Sequence, residues 1–522
     1  MNSESTVNSL QALRQNVGES TAPSPQDSEA SVVIIGAGPA GLSAAYELSK
    51  NGIKTVVLEK DNVVGGISRT AEYKGYLFDI GGHRFFTKVG VVEKMWQEVL
   101  GGDFLSRPRM SRIFYKRKFF AYPLEAKNAL FGLGIFEAVR CGLSYLWAQI
   151  VPTKPEDNFE AWVCNRFGKR LFSIFFESYT EKVWGIPCKS IKAEWAAQRI
   201  KGLSLFTAVW NAIKPQSSKD KSQVIKTLIH EFQYPRKGPG MMWQKTRDLI
   251  LEQGHKVVME APVEKIHWQP GRITSVEAGG THYAGEYFVS SMPIKELIEK
   301  LDPPPSAELR SAANDFHYRD FLTVALIIKG DKVFPDNWIY IHEPGVKVGR
   351  IQNYKSWSPE MVPDPANGCI GLEYFCFEGD GLWTTSDEEL VELAKKEVGH
   401  LGLVDPADVI DGTVVRMPKA YPVYDDSYQR GIDAIRAFLR TVPNLQLAGR
   451  NGMHRYNNQD HSMLTAMLAA RNIVAAKTGV GPSYDLWRVN VDEEYHEAGE
   501  VGMEDELRKM ESTQPLVPQS IR

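Results

Sequence analysis

At 522 residues the chain is long enough for about three domains. Its hydrophobic share of 43% and charged share of 24% are those of an ordinary globular enzyme. A net charge of −3 argues against nucleic acid as the main partner. The five cysteines, Cys141, Cys164, Cys188, Cys369 and Cys376, are scattered without a CxxC pair. They read as reduced thiols of a reducing, cytoplasmic compartment, with no disulfide framework and no metal site.

Residues 1–30 are rich in Ser, Gln, Glu and Pro and carry no apolar h-region. They are expected to form a disordered tail, not a signal peptide. Val32-Val33-Ile34-Ile35 then reads as a strand buried on both faces. Gly36-x-Gly38-x-x-Gly41 follows directly, and Leu42, Ala45 and Leu48 recur at helical spacing. Thr55 to Leu58 is a second strand, ending in Glu59. Strand, glycine turn, helix and strand make a dinucleotide-binding unit. The helix start faces the pyrophosphate, and Glu59, 18 residues after Gly41, accepts the ribose hydroxyls.

After Lys60, the pair Gly65-Gly66 lets the backbone run close to a bound cofactor, and Arg69 offers it a guanidinium fork. Phe78 to Ile80 alternate as a strand, and His83 after Gly81-Gly82 is a cofactor-facing candidate. The basic and aromatic tract Arg107 to Tyr122 reads as a β-hairpin turning at Arg117-Lys118. Residues Asn128 to Val151 are long and apolar, but Glu137 and Arg140 interrupt them. A buried or amphipathic helix is expected there, not a membrane span. Helices are predicted over Phe159 to Leu171, Phe172 to Trp184 and Ile191 to Trp210, with a surface loop from Lys214 to Gln223.

A helix from Trp243 to Gln253 leads into short β segments that end at Tyr287 to Pro293. These resume the first sheet, so the nucleotide-binding domain is discontinuous. Antiparallel strands are predicted at Phe321 to Ile328, Trp338 to His342, Arg350 to Tyr354 and Cys369 to Phe377. They form an aromatic wall holding one cation. A helix from Tyr428 to Arg440, a strand ending at Gly449-Arg450, and an apolar helix from Met463 to Ala475 follow. Asp460 is the expected N-cap of the last helix.

The motifs GAGPAG, FDIGGHRFF, AYPLEAKNAL, YTEKVWGIP, YPRKGPGMMW and NNQDHS, in that order, resemble those of UDP-galactopyranose mutases. Those enzymes sit within the FAD-dependent amine oxidase and protoporphyrinogen oxidase superfamily. The resemblance implies FAD, active when reduced, with NAD(P)H as a candidate reductant. It also implies ring isomerisation of a nucleotide sugar through flavin N5 without net redox change, and a place in polysaccharide synthesis. By this resemblance Arg199, Arg350 and Arg450 are the candidate phosphate and flavin cations. Tyr340, Tyr421 and Tyr456 line the phosphates, Trp338 lies beside them, and His83 lies near N5. Gly36, Gly38, Gly41, Glu59, Lys60, Gly65, Gly66, Ser68, Arg69, Gly82, Val263, Gly449, Asn458, Gln459 and Ser462 complete the FAD site. Glu125 departs from the mutase pattern of a Gln-Asn pair, and a carboxylate is unfavourable beside a pyrophosphate. The alternative is hydride transfer from an amine, porphyrinogen or isoprenoid substrate.

The expected fold class is α/β. It has a Rossmann-type FAD-binding domain over 31–122, 234–305 and 441–480, and a helical insertion over 123–233. An antiparallel-sheet substrate domain spans 306–440, and a charged tail spans 481–522. The partner is a small molecule, and peripheral membrane contact and a homo-oligomer stay open.

Overall fold

The computed structural model describes residues 30–87, 89–122, 128, 132–193, 231–331, 333–424, 428–481 and 483–490. A five-stranded parallel sheet runs in the order Leu445–Leu447, Tyr287–Ser290, Val32–Ile35, Thr55–Leu58, Lys256–Val258. Val32, Val33 and Ile34 have no exposed surface, as an uninterrupted apolar run predicts. Pro39 opens the helix Pro39–Lys50, where its missing N–H costs nothing. That helix packs against Gly240–Glu252 and Gln459–Thr478, and all three share one core with the sheet. The sheet therefore gathers strands from three distant parts of the sequence, as expected.

The second large element is a seven-stranded sheet. Its order is Val409–Pro422, Tyr318–Lys329, Asn367–Cys376, Arg350–Asn353, Trp338–Ile341, Ser111–Tyr115, Lys118–Ala121. The four antiparallel strands predicted from Phe321 onward are present, within a few residues at their ends. The 14-residue strand Val409–Pro422 was not predicted. It carries basic and polar residues among its valines, and only pairing along Tyr318–Lys329 makes it a strand. The helix Asp387–Leu401 covers one face of this sheet through Leu390, Ala394, Val398 and Leu401.

Several expectations need correction. The basic hairpin exists, but it turns at Lys116-Arg117, both with positive φ, and not at Arg117-Lys118. Its strand Ser111–Tyr115 pairs in parallel with Trp338–Ile341, so it belongs to the seven-stranded sheet, which is mixed, and not to the nucleotide-binding part. The helix predicted over Phe159 to Leu171 breaks at Gly168. A Cβ there would stand 2.6 Å from the backbone nitrogen of Tyr145. The last helix is capped by Asn458, with His461 completing a capping box, and not by Asp460. In the apolar stretch Asn128 to Val151 the structure shows a helix Ile135–Ile150, of which only Cys141 is buried. Ile191 to Trp210 lies mostly, and Lys214 to Gln223 wholly, outside the described residues, as do Glu125 and Arg199.

Helix Pro39–Lys50 sits close to its strand because Gly41 has no side chain. A Cβ at Gly41 would lie 1.8 Å from the carbonyl oxygen of Gly36. Gly41→Ala is expected to cost about 1–3 kcal/mol of stability and to release the bound dinucleotide. Thermal melting and absorbance of the purified variant check this; wild-type values for both would contradict the close packing.

Candidate active site

The turn after Val32–Ile35 is shaped for a phosphate. Gly36 adopts φ +96°, where a Cβ would meet Ser291 Oγ at 2.4 Å. Gly38 and Gly66 face each other, with a Cβ on Gly66 only 3.4 Å from Gly38 Cα. Gly65 donates its N–H to Ala37 O at 2.8 Å and locks the two glycine turns together. Helix Pro39–Lys50 begins with no side-chain cap and no acidic residue in its first turn. Its positive end is thus left for an anion. Glu59 is 6% exposed. Its carboxylate accepts the N–H of Ala37 at 2.6 Å and of Asp61 at 3.0 Å, so it is oriented with lone pairs to spare.

Arg69 Nη2 is bonded to Asp61 at 2.8 Å, while its Nε is buried without a hydrogen-bond partner. Lys60 is exposed. Val263 is buried, and its carbonyl accepts Lys300 Nζ at 2.6 Å.

At the far end of the cradle, Ser68 Oγ donates to Gln459 Oε1 at 2.7 Å. That leaves Gln459 Nε2 buried without a hydrogen-bond partner. Asn458 and Ser462 stand at the start of this helix, and Ser462 N–H closes its first turn on Asn458 O. Gly449 packs on Ala40, where a Cβ would come within 2.9 Å of the alanine's. His83 Nδ1 is also buried and unpartnered. Burial, then Arg450 and Arg350, push its imidazole down to about 3, so it is neutral at working pH. Orphaned polar atoms, facing glycines and an uncapped helix start fit a dinucleotide ending in a polar ring.

The seven-stranded sheet supplies the opposite wall. Tyr340 and Arg350 are register partners on adjacent strands. Tyr340 meets Tyr122 at 4.6 Å and Tyr179 at 5.4 Å between ring centroids, and Tyr179 stacks on His342. Tyr421 stacks on Tyr456 at 5.6 Å, with the Arg450 guanidinium 5.4 and 5.0 Å from their rings. Arg450 is itself held by the carbonyls of Asn457 and Ala420. Burial first, then Tyr456, raise the Tyr421 phenol, and burial raises Tyr179, so both stay protonated donors.

Arg350 departs from expectation. Its Nη2 and Nε bond the fully buried Glu373 at 2.6 and 2.8 Å, and Gln352 donates to the same carboxylate at 2.5 Å. Its other edge faces the Gly82 turn, where a Cβ would stand 3.7 Å from Nη1. His83, Tyr340, Arg350, Tyr421, Arg450 and Tyr456 are thus brought to one place, whereas Arg199 lies outside the described residues. Glu373, Gln352, Tyr179 and Asp79 were missed. An acid inside the apolar run Gly371 to Phe375 was the one available signal for Glu373.

Asp79 is fully buried beside this pair. Burial drives its carboxyl up to about 8, although the Tyr234 hydroxyl donates to it at 2.6 Å. The folded state therefore holds a proton that the unfolded state has released between about pH 4 and pH 8. Stability falls as pH rises through that window. Asp79→Asn should flatten this slope in melting curves recorded from about pH 5 to about pH 9. Parallel curves for the two proteins would mean that Asp79 is already ionised. Glu59→Ala should weaken cofactor retention by about 10–100-fold, as loss of charge-assisted hydrogen bonds does, read by titrating the apoprotein.

The model for an NAD(P)-binding Rossmann-like domain matches residues 34–99, and that for flavin containing amine oxidoreductases matches residues 175–474. Chloroplastic protoporphyrinogen oxidase of Nicotiana tabacum is 28% identical over 273 residues, 49% of this chain and 48% of that protein. Chloroplastic/chromoplastic 15-cis-phytoene desaturase of Arabidopsis thaliana is 37% identical over 322 residues, 59% of this chain and 55% of that protein. The chain thus spans about half the length of these curated relatives. Among solved structures, reduced UDP-galactopyranose mutase superposes with a TM-score of 0.74 at 22% identity, covering 88% of this chain and 99% of that one. A putative protoporphyrinogen oxidase from Exiguobacterium sp. 255-15 follows at 0.63 and 16%, covering 85% and 98%. These likenesses concern the fold. The family match spans more than half of the sequence and names a flavin, and the glycine cradle with Glu59 requires a dinucleotide. The chain belongs to the flavin-containing amine oxidoreductase family, and its cofactor is FAD.

Proposed function

We propose that this enzyme rearranges the ring of a nucleotide-activated sugar at reduced FAD, with no net redox change. The observation that carries the reading is the wall facing the cradle. It gathers tyrosines 179, 340, 421 and 456 with Arg350 and Arg450, set among apolar neighbours that include Ile113, Phe321 and Met417. Such a wall suits hydroxyls and a diphosphate. The extent of the fold likeness to the mutase supports it.

Reduced flavin supplies the electron-rich centre that this chemistry needs. The protein's part is to hold what leaves and returns. The bond between the anomeric carbon and the diphosphate breaks and later re-forms, so the nucleoside diphosphate must stay in place meanwhile. Arg450 is the cation suited to hold it, because its hydrogen bonds to the carbonyls of Asn457 and Ala420 leave its charge uncompensated. The protonated Tyr421 donates beside it. Neutral His83 adds no positive charge to the neighbourhood of Arg350 and Arg450. The Arg350–Glu373 pair presents a fixed dipole for sugar hydroxyls, with Gln352 fixing the carboxylate.

One observation favours a second reading. Glu373 neutralises Arg350, so a diphosphate finds one clamp arginine fewer than expected. Hydride transfer from an amine, porphyrinogen or isoprenoid substrate would tolerate that.

Dithionite-reduced protein incubated with a panel of nucleotide sugars should yield the ring isomer of one of them, seen by chromatography. Arg450→Ala and Arg350→Ala should each lose about 10²-fold or more in that turnover. If no sugar isomerises, and an amine, porphyrinogen or polyene bleaches the oxidised flavin instead, the second reading holds.

A further inference from the structure

The helix Ile135–Ile150 is inside out. Ile135, Phe136, Val139, Leu143, Leu146, Trp147 and Ile150 are all exposed, Phe136 at 85% and Trp147 at 66%. At about 100° per residue these seven fall within an arc of about 120°. Cys141, the one buried residue, stands opposite the middle of that arc. The apolar stripe is therefore a continuous ridge pointing away from the protein. Water penalises such a surface, and stable monomers rarely carry one of this size.

What covers it is indicated by charge and by the order of residues around the helix. Between residues 116 and 170 the described residues hold eight Lys and Arg against four Asp and Glu, in a chain that is net acidic. Glu137 is bonded by both Arg140 and Arg170, so the polar flank of the helix is itself cationic. Lys118 reaches the carbonyl of Gly132 just before the helix starts. Phe136 and Trp147 share one edge of the apolar arc, next to Arg140, and the aliphatic side chains fill the rest. Aromatics beside a cation on the rim, with aliphatics at the centre, suit the boundary between headgroups and acyl chains. No helix among the described residues is long and apolar enough to cross a membrane. This one, about 24 Å long, has the length and the one-sided apolar face of a helix that lies flat in an interface. An antiparallel two-fold dimer through the same ridge would set the Arg140 flanks of the two copies side by side.

We infer that the ridge Ile135–Ile150 docks the enzyme on a lipid bilayer carrying anionic headgroups. The docked helix is tied to the site. Cys141 packs with Ile113, Phe120, Ile174 and Phe175, and Tyr340 rests on that same cluster. The wall that receives substrate therefore sits one layer of side chains behind the bilayer surface.

The test is sedimentation of the full chain, FAD bound, with phosphatidylcholine vesicles that contain or lack phosphatidylglycerol. Wild type should pellet with the anionic vesicles, and less so as salt is raised. The double variant Phe136→Ser/Trp147→Ser should lose about tenfold or more of that partition, while its melting curve and flavin spectrum stay those of wild type. Arg140→Glu should weaken binding to the anionic vesicles. Wild type left in the supernatant with both vesicles overturns the inference. So does a wild-type dimer that the double variant dissolves while vesicles are ignored. No turnover is measured, so the result stands apart from the choice of substrate.

Discussion

The buried pair of Arg350 and Glu373 governs how the substrate sheet meets the cofactor cradle. Taking two ions out of water costs several kcal/mol each, and only good geometry with further hydrogen bonds returns it. Glu373 has that geometry: two bonds from Arg350 and one from Gln352. The pair joins Arg350–Asn353 to Asn367–Cys376 in the middle of the sheet, directly under the Gly82-His83 turn. The groups around it are held uncharged. Asp79 keeps its proton, His83 loses its own, and Tyr179 and Tyr421 stay phenols. Apart from the Arg450 cation, the pair is thus one fixed dipole in neutral surroundings.

The two arginines that survive near the flavin end thus differ in kind. Arg350 is paired with a carboxylate and acts as a dipole, while Arg450 is solvated by carbonyls and remains a net cation. A substrate bearing one mobile anionic group matches that asymmetry better than one needing two equal clamps.

The cofactor half was legible in the sequence because its signals are local. Val32 to Glu59 contains strand, turn, helix and acid in one run; Gly41 answers to a contact within that run and Gly38 to Gly66, while Gly36 answers to the distant Ser291. The predicted antiparallel strands were legible from alternation. What could not be read depends on partners far away in sequence. Ser111–Tyr115 is recruited by Trp338–Ile341, more than 200 residues later, and Val409–Pro422 is a strand only beside Tyr318–Lys329. Glu373 shows in the sequence only as an acid inside an apolar run, and its pairing with Arg350 depends on two strands meeting in the fold. The helix Ile135–Ile150 was read correctly as a helix, but apolar periodicity does not say which side faces inward.

The discontinuity of the parallel sheet has a consequence for synthesis. The cradle draws on Gly36 to Gly66 near the start of the chain, on Ser290-Ser291 in the middle, and on Gly449 to Ser462 near the end of the described residues. A ribosome delivers these pieces in that order. Until the last arrives, Tyr287–Ser290 has an open edge where Leu445–Leu447 will pair, and Ser68 lacks Gln459. The nascent chain therefore carries an unpaired strand edge and an incomplete cradle until residues 445–462 have emerged. Completion of the sheet by Leu445–Leu447, and of the cradle by Gln459, is then a late event of synthesis, and capture of FAD follows it.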